Sequence, residues 1–249
     1  MSQENLYDKL QEFLGNIQGN FNVLEEQIDI DVQMAYFESS KDIKKSFSSV
    51  ETMNTSNDLF SDTVTLEDKR QLLIKLASVG NVEAFRTLEK YRSNPDPELK
   101  DWATLAMQES RMHLESSFLD ENQVFISTGL GGKGKKLRYF VVFLANEGVL
   151  LSKFQKKVIE KEIGYVFGKS DAEIEEISQY DAFVIIKVII PIPVPIHELF
   201  EDAIIECNQF GDFLQTNFIV TNVKELSFEE IRNILENTQL PEKDTNKLL

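Results

Sequence analysis

The spacing of apolar residues predicts a chain that is helical at first and mixed afterwards. From residue 2 to about residue 60, apolar positions such as Leu6, Leu10 and Phe13 recur at steps of three and four, which places them on one face of a helix. The pattern includes a second helix over residues 32–47. The polar segment SSVETMNTSNDLFSDT at the end of this region predicts a loop.

Three successive helices are predicted between residues 66 and 115. The first apolar stripe stops at Gly80, the position at which a glycine often ends a helix. Pro95 and Pro97 separate the second stripe from the third, since proline suits the first turn of a helix. The three stripes consist of Leu72, Leu73, Leu76 and Val79; of Val82, Phe85, Leu88 and Tyr91; and of Leu99, Trp102, Ala103 and Ala106.

The same segment resembles HEAT repeats. A helix, a glycine-containing turn and a second helix are followed by NPDPELKDWATLAM, with Leu99 and Lys100 where the repeat usually has Val and Arg. The resemblance covers about residues 66–115, roughly one and a half repeats, and it implies a surface for protein interaction without chemistry. Any helical bundle with a proline-initiated helix is the alternative.

After residue 121 the pattern changes to alternating strands and helices. Strands are predicted at residues 123–127, 137–145, 183–190 and 217–223. Helices are predicted at residues 149–167 and 196–210, together with a short acidic helix at 170–177 and a last helix capped by Ser227. Pro191, Pro193 and Pro195 remove amide donors from one side of their strand, so that end of the strand must either pair on one side only or leave the sheet.

These patterns define the predicted architecture. The fold class is α+β, with an N-terminal all-helical part followed by a domain in which helices cover a β-sheet. The predicted boundaries are residues 1–120 for the helical domain, 121–240 for the α+β domain and 241–249 for a flexible tail.

Composition narrows the possible functions. A net charge of −16 argues against a protein that binds nucleic acid or anionic membranes over its whole surface. The start of the chain lacks the pattern of an export signal, and the apolar run at residues 182–196 is too short to cross a bilayer. A single cysteine, Cys207, excludes an intramolecular disulfide and predicts a reducing, cytoplasmic location. With only two histidines, His113 and His197, far apart in sequence, no catalytic residue, metal site or cofactor is predicted.

The segment STGLGGKGKKLR at residues 127–138 holds four of the eleven glycines of the chain. Gly129, Gly134 and Lys135 match the start of the phosphate-binding pattern G-x-x-x-x-G-K, but Lys136 stands where a magnesium-binding Ser or Thr is needed. A strand pattern follows instead of a helix, which argues against a nucleotide site. Two interpretations stay open: a hairpin tip, or a loop that binds an anionic partner. The candidate binding residues are Gly129, Gly131, Gly132, Lys133, Gly134, Lys135, Lys136 and Arg138.

The sequence therefore predicts a non-enzymatic, cytoplasmic adaptor or assembly protein whose partner is another protein. The alternative is a regulatory domain that binds a phosphorylated ligand or a nucleic-acid backbone through residues 129–138. Neither the partner nor the oligomeric state follows from the sequence.

Overall fold

The protein has an α+β fold, as the sequence predicts. The computed structural model describes residues 21–119, 124–146 and 149–238. A helical part comes first in the chain, and an antiparallel sheet with helices on both faces follows. In the ranges described, no helix has the length and apolar character needed to cross a membrane.

The N-terminal part contains a strand as well as helices. Strand β1 (Phe21–Val23) precedes α1 (Ile30–Ile43), α2 (Ser49–Asn54) and a 3-10 helix (Ser56–Phe60). The prediction of continuous helix up to residue 60 is therefore wrong at β1, and its first part lies outside the described residues. The predicted loop at residues 48–63 is also largely wrong, because the Ser48 hydroxyl caps α2 by accepting a hydrogen bond from the Glu51 amide.

Helices α3 (Leu66–Val79), α4 (Val82–Ser93) and α5 (Lys100–Leu119) occupy the region of the three predicted stripes. The Thr65 hydroxyl accepts from the Asp68 amide at the start of α3, and Gly80 ends the helix in the left-handed conformation. A 3-10 turn (Pro97–Leu99) leads into α5. These helices share one core with α1, and the resemblance to HEAT repeats stays a prediction.

The second part is built from β4 (Lys136–Ala145), α6 (Lys153–Lys169), β5 (Glu173–Gln179), β6 (Phe183–Pro191), α7 (Ile196–Asn208) and β7 (Leu214–Thr221). The four strands pair in the order β7-β4-β6-β5, and all the pairs are antiparallel. This βαββαβ arrangement is that of ferredoxin-like folds, which host many unrelated functions.

Strand β5 replaces the short acidic helix predicted at residues 170–177. The register of β5 against β6 shifts between Ile174 and Glu176, so one extra residue is inserted there. Ile174 and Ile177 consequently both pack against the sheet core although they are three residues apart. The helix is predicted from the capping-box pattern of residues 170–173, and the three-residue spacing of the isoleucines is also compatible with a helix.

Helices cover the two faces of the sheet unequally. Helices α6 and α7 pack on one face around large side chains such as Phe143, Phe167 and Phe200. Helix α8 (Phe228–Thr238) lies on the other face, where Ile231 packs with Phe140 and its neighbours. Strand β6 ends at Pro191 and α7 begins after Pro195, so the chain leaves the sheet at the prolines, as predicted.

A second, small sheet joins the two parts of the chain. Strand β1 pairs in parallel with β2 (Val124–Ile126), with Phe21 opposite Val124. Val23 packs into the core of the large sheet, whereas the next residue, Leu24, packs into the helical core. The segment around β1 therefore contacts both parts.

Candidate functional site

The glycine-rich segment forms a hairpin at the start of β4. Strand β3 (Gly132–Lys133) pairs with the first residues of β4, with Lys133 opposite Lys136. Gly134 and Lys135 make the turn, and Gly134 has a positive φ of 60°. A two-residue turn of this kind favours glycine because other residues are strained there.

Three glycines of this segment are in close contact with other parts of the backbone. A Cβ atom on Gly129 would lie 1.7 Å from the Val223 carbonyl oxygen, and one on Gly131 would lie 2.6 Å from the Glu25 carbonyl oxygen. A Cβ atom on Gly132 would lie 2.2 Å from the Lys136 carbonyl oxygen. Packing thus requires Gly131, Gly132 and the first glycine of the apparent phosphate-binding pattern, Gly129.

The backbone amide at the tip of the hairpin also has a partner within the chain. The Gly134 amide donates a hydrogen bond of 2.9 Å to the Glu25 carboxylate, which belongs to the segment after β1. A phosphate at this amide would have to displace that carboxylate.

Basic side chains of the hairpin form ion pairs with strand β5. Lys133 and Lys136 each donate to the Glu173 carboxylate at 2.8 Å. Arg138 binds both oxygens of Glu175, at 2.5 Å and 2.9 Å, in a two-pronged pair. The hydrogen bonds from Lys133 and Lys136 lower the pKa of Glu173 to about 2. The positive charge of the predicted site is therefore largely balanced by β5.

The last basic residue of the hairpin, Lys135, lies with its ammonium group 5.4 Å from the ring centre of Phe21. The structure thus brings all the predicted site residues together in one hairpin, but it also gives them partners within the chain. The sequence analysis missed those partners because it assigned the carboxylates of β5 to a solvated helix.

Helix α6 carries a basic and aromatic face that the sequence analysis did not select. Lys153, Lys157 and Lys161 follow one another at steps of four on the exposed side of the helix, and no ion pair involves them among the described residues. Two aromatic rings are exposed on the same helix, Phe154 with 63% and Tyr165 with 57% of its surface accessible. The Lys169 ammonium lies 3.9 Å from the Tyr165 ring centre.

The same sequence features that build α6 leave this face outside. The helix begins with a complete capping box of Ser152 and Gln155. Its apolar residues are at the positions that face the sheet, so they are buried: Val158, Ile159, Ile163, Val166 and Phe167. The lysine spacing of four was the sequence signal for an exposed basic stripe.

A buried carboxylate, Glu109 of α5, forms a separate cluster in the helical part. It accepts hydrogen bonds from the Tyr36 hydroxyl at 2.5 Å and the Ser40 hydroxyl at 3.3 Å, and it pairs with Lys44. His113, one turn further along α5, lies 3.7 Å from it. Burial raises the pKa of Glu109, but the nearby His113, the ion pair with Lys44 and the hydrogen bond from Tyr36 outweigh burial and lower the pKa to about 2. Because every oxygen of this carboxylate is satisfied, the cluster serves to fix α1 against α5.

Cys207 and His197 do not form a catalytic pair or a metal site. Cys207 is buried in the core between α7 and the sheet. His197 is exposed, 3.1 Å from Glu201. No group of three or more metal-ligating side chains occurs within the part of the chain that the structure describes.

Comparisons with known proteins identify no family for this chain. No family model matches it, and no curated protein does. Among solved structures, a putative transposase from Deinococcus radiodurans is 13% identical; the match covers 43% of this chain and 93% of that one, with a TM-score of 0.38. A REP-associated tyrosine transposase bound to a REP hairpin is 12% identical; the match covers 41% and 64%, with a TM-score of 0.32.

These matches correct the leading functional prediction. The predicted non-enzymatic, protein-binding adaptor is not supported by them: both similar structures are described as transposases, which are enzymes. At these identities and TM-scores the similarity concerns the fold alone and assigns no activity to this chain.

Proposed function

We propose that the α+β domain binds single-stranded nucleic acid through the exposed face of α6. The observation that carries the proposal is the combination of Lys153, Lys157 and Lys161 with the exposed rings of Phe154 and Tyr165. Proteins that bind single strands without sequence preference use this combination, with cations for the backbone and aromatic rings for stacked bases.

The geometry of the helix suits an extended strand. Residues four apart on a helix are separated by about 6 Å along the axis, so the three lysines form a line of about 12 Å. Because this line has no carboxylate partners among the described residues, its charge is available to phosphates without loss of an internal ion pair. Exposed rings beside the line favour a single strand, whose bases are free to stack, over a duplex.

The charge of the rest of the protein confines binding to this region. Residues 129–161 contain eight Lys or Arg and two Glu, whereas the whole chain has a net charge of −16. A polyanion is repelled by most of the surface, so its contact is limited to the basic segment. The 129–138 loop belongs to the same segment, but its cations would have to exchange Glu173 and Glu175 for phosphates.

The test is binding of a labelled oligothymidylate of about 16 nucleotides, followed by fluorescence anisotropy at several salt concentrations. We expect the Lys153/Lys157/Lys161→Glu variant to lose at least about tenfold in affinity. The slope of log affinity against log salt should fall by about 2, since three phosphate contacts are lost.

Two further variants make the test specific. Lys41/Lys75/Lys100→Glu changes the net charge by the same amount in the helical part, at lysines without ion pairs among the described residues, and should bind more tightly than the α6 variant. The second variant, Lys133/Lys135/Lys136→Glu, tests whether the loop at residues 129–138 contributes to binding. The proposal is overturned if the wild type does not bind the oligothymidylate or if the α6 variant and the charge control bind it with equal affinity. It is also overturned if only the loop variant loses affinity.

A further inference from the structure

A cavity lies at the end of the sheet, between the β5–β6 turn and α8. Its volume is about 420 Å³, which is within the usual range for small-ligand sites. Tyr180 and Phe183 line it from the turn and the start of β6, and Phe228 and Arg232 line it from α8.

Three aromatic rings form the wall of this cavity. The Tyr180 ring centre lies 4.9 Å from that of Phe228 with an angle of 81° between the planes, and 4.9 Å from that of Phe183. Tyr180 is 37% exposed and Phe228 is 53% exposed, so both rings offer surface to a ligand. A planar ring can stack on one of them while its edge meets the other, which is the favoured geometry for aromatic groups.

Arg232 supplies a positive charge at the same cavity. Its side chain is exposed, and among the described residues no carboxylate forms an ion pair with it. A guanidinium group of this kind binds phosphate through two parallel hydrogen bonds. The aromatic wall and the arginine together favour a ligand that has both a planar ring and a negative charge.

The β5–β6 turn connects this cavity to the basic face of α6. Asp181, next to Tyr180, accepts 2.8 Å hydrogen bonds from the Leu151 amide and from the Lys156 ammonium group. The Gln179 side chain donates to the Lys156 carbonyl at 3.0 Å. A strand that follows the lysines of α6 toward the start of the helix therefore reaches the turn that carries Tyr180.

We infer that this cavity binds one nucleotide, with its base stacked on Tyr180, the edge of the base against Phe228 and its phosphate at Arg232. The inference rests on the proposed function in identifying the ligand as part of a nucleic-acid strand. The cavity is expected to hold the base at the end of the bound segment, while α6 holds the backbone that leads to it.

The test uses 2-aminopurine riboside 5′-monophosphate, a fluorescent nucleotide whose emission falls when its base stacks on an aromatic ring. We expect saturable quenching with the full-length wild type and at least about tenfold weaker binding with Tyr180→Ala. Arg232→Gln should weaken binding of the nucleotide but not of the same nucleoside without phosphate. Phe210→Ala is the matched control, because Phe210 is also 53% exposed but does not line the cavity.

The outcomes separate this inference from the proposed function. Nucleotide binding that survives Lys153/Lys157/Lys161→Glu but not Tyr180→Ala supports the cavity, whether or not the oligonucleotide binds to α6. The absence of saturable quenching with the wild type overturns the inference, as does an equal loss in Phe210→Ala and Tyr180→Ala. Equal binding of nucleoside and nucleotide overturns the role of Arg232. Thermal denaturation of each variant shows that a loss of binding does not come from unfolding.

Discussion

Gly129 lies so close to the Val223 carbonyl oxygen that no Cβ atom fits between them, since the two atoms would be 1.7 Å apart. The neighbouring Leu130 amide donates a 3.0 Å hydrogen bond to the Asn222 carbonyl. These contacts fix the connection between β7 and α8 against the hairpin. The first glycine of the apparent phosphate-binding pattern is thus a packing position.

Replacing Gly129 with alanine is therefore expected to destabilise the protein. The new Cβ atom would meet a backbone carbonyl, which cannot move aside as a flexible side chain could. The free energy of unfolding should therefore fall by about 1–3 kcal/mol, toward the upper end of that range. Urea denaturation followed by circular dichroism measures the change.

Gly164 provides the matched control for this substitution. It lies on the exposed side of α6, and a Cβ atom there would meet no atom within 4 Å. Gly164→Ala should increase the free energy of unfolding by about 0.5–1 kcal/mol, because alanine favours the helix. Equal effects at the two positions would contradict the proposed packing role of Gly129.

Glu109 should make the stability of the protein depend on acid pH. Its pKa in the folded state is about 2, below the usual 4.5, so the ionised form stabilises the fold at every pH above about 4.5. That contribution is lost as the pH falls from about 4.5 to about 2. At neutral pH, Glu109→Gln should lower the free energy of unfolding by about 3 kcal/mol, because the buried carboxylate loses its ion pair with the partly exposed Lys44 and the Tyr36 hydroxyl no longer has a charged acceptor.

The measurement is the free energy of unfolding of wild type and Glu109→Gln across this pH range. The difference between the two should shrink below a pH of about 4.5 and nearly vanish near a pH of about 2. Glu160→Gln, at an exposed position on α6, should leave the pH profile unchanged. A constant difference between wild type and Glu109→Gln would show that ionisation of Glu109 is not what stabilises the contact between α1 and α5.

Cys207 should be protected from thiol reagents as long as the protein is folded. Burial raises the pKa of its thiol to about 12, with a smaller contribution from Glu162 and Glu206, so almost no thiolate is present at neutral pH. Labelling with a chromogenic disulfide should be undetectable in buffer and complete in denaturant. His197→Cys introduces an exposed thiol on the same helix and should react at once, whereas rapid labelling of the wild type would show that α7 opens readily.

The sequence was most informative where local interactions decide the structure. Helices α3 to α5 could be predicted because their ends are marked by Gly80, Pro95 and Pro97 and their apolar stripes follow the helical period. Strand β5 could not be predicted, because an extra residue near Glu175 gives its two isoleucines a helical spacing.

Within the candidate site, the hairpin residues could be recognised from the sequence, but the carboxylates that pair with them could not. Ion pairs such as that of Arg138 with Glu175 join residues far apart in sequence, and only the order of the strands brings them together.

The carboxylates of β5 determine whether the hairpin can bind an anion. Replacing Glu173 and Glu175 with glutamine removes the carboxylate partners of Lys133 and Arg138 while it keeps the size of the side chains; Lys136 keeps its ion pair with Asp171. We expect Glu173/Glu175→Gln to bind the oligothymidylate more tightly than the wild type. Its salt dependence should be steeper by about 1, since Lys133 and Arg138 become available to phosphates.

The control is Glu83/Glu98→Gln, which makes the same change in net charge at exposed carboxylates without ion pairs in the described helical part. A gain in affinity for the oligothymidylate that occurs only in the β5 variant would show that the hairpin at residues 129–138 is an anion site that the protein itself neutralises. If both variants gain equally, the effect is only one of net charge. The hairpin is then a structural element, because its cations do not reach phosphate even when their internal partners are removed.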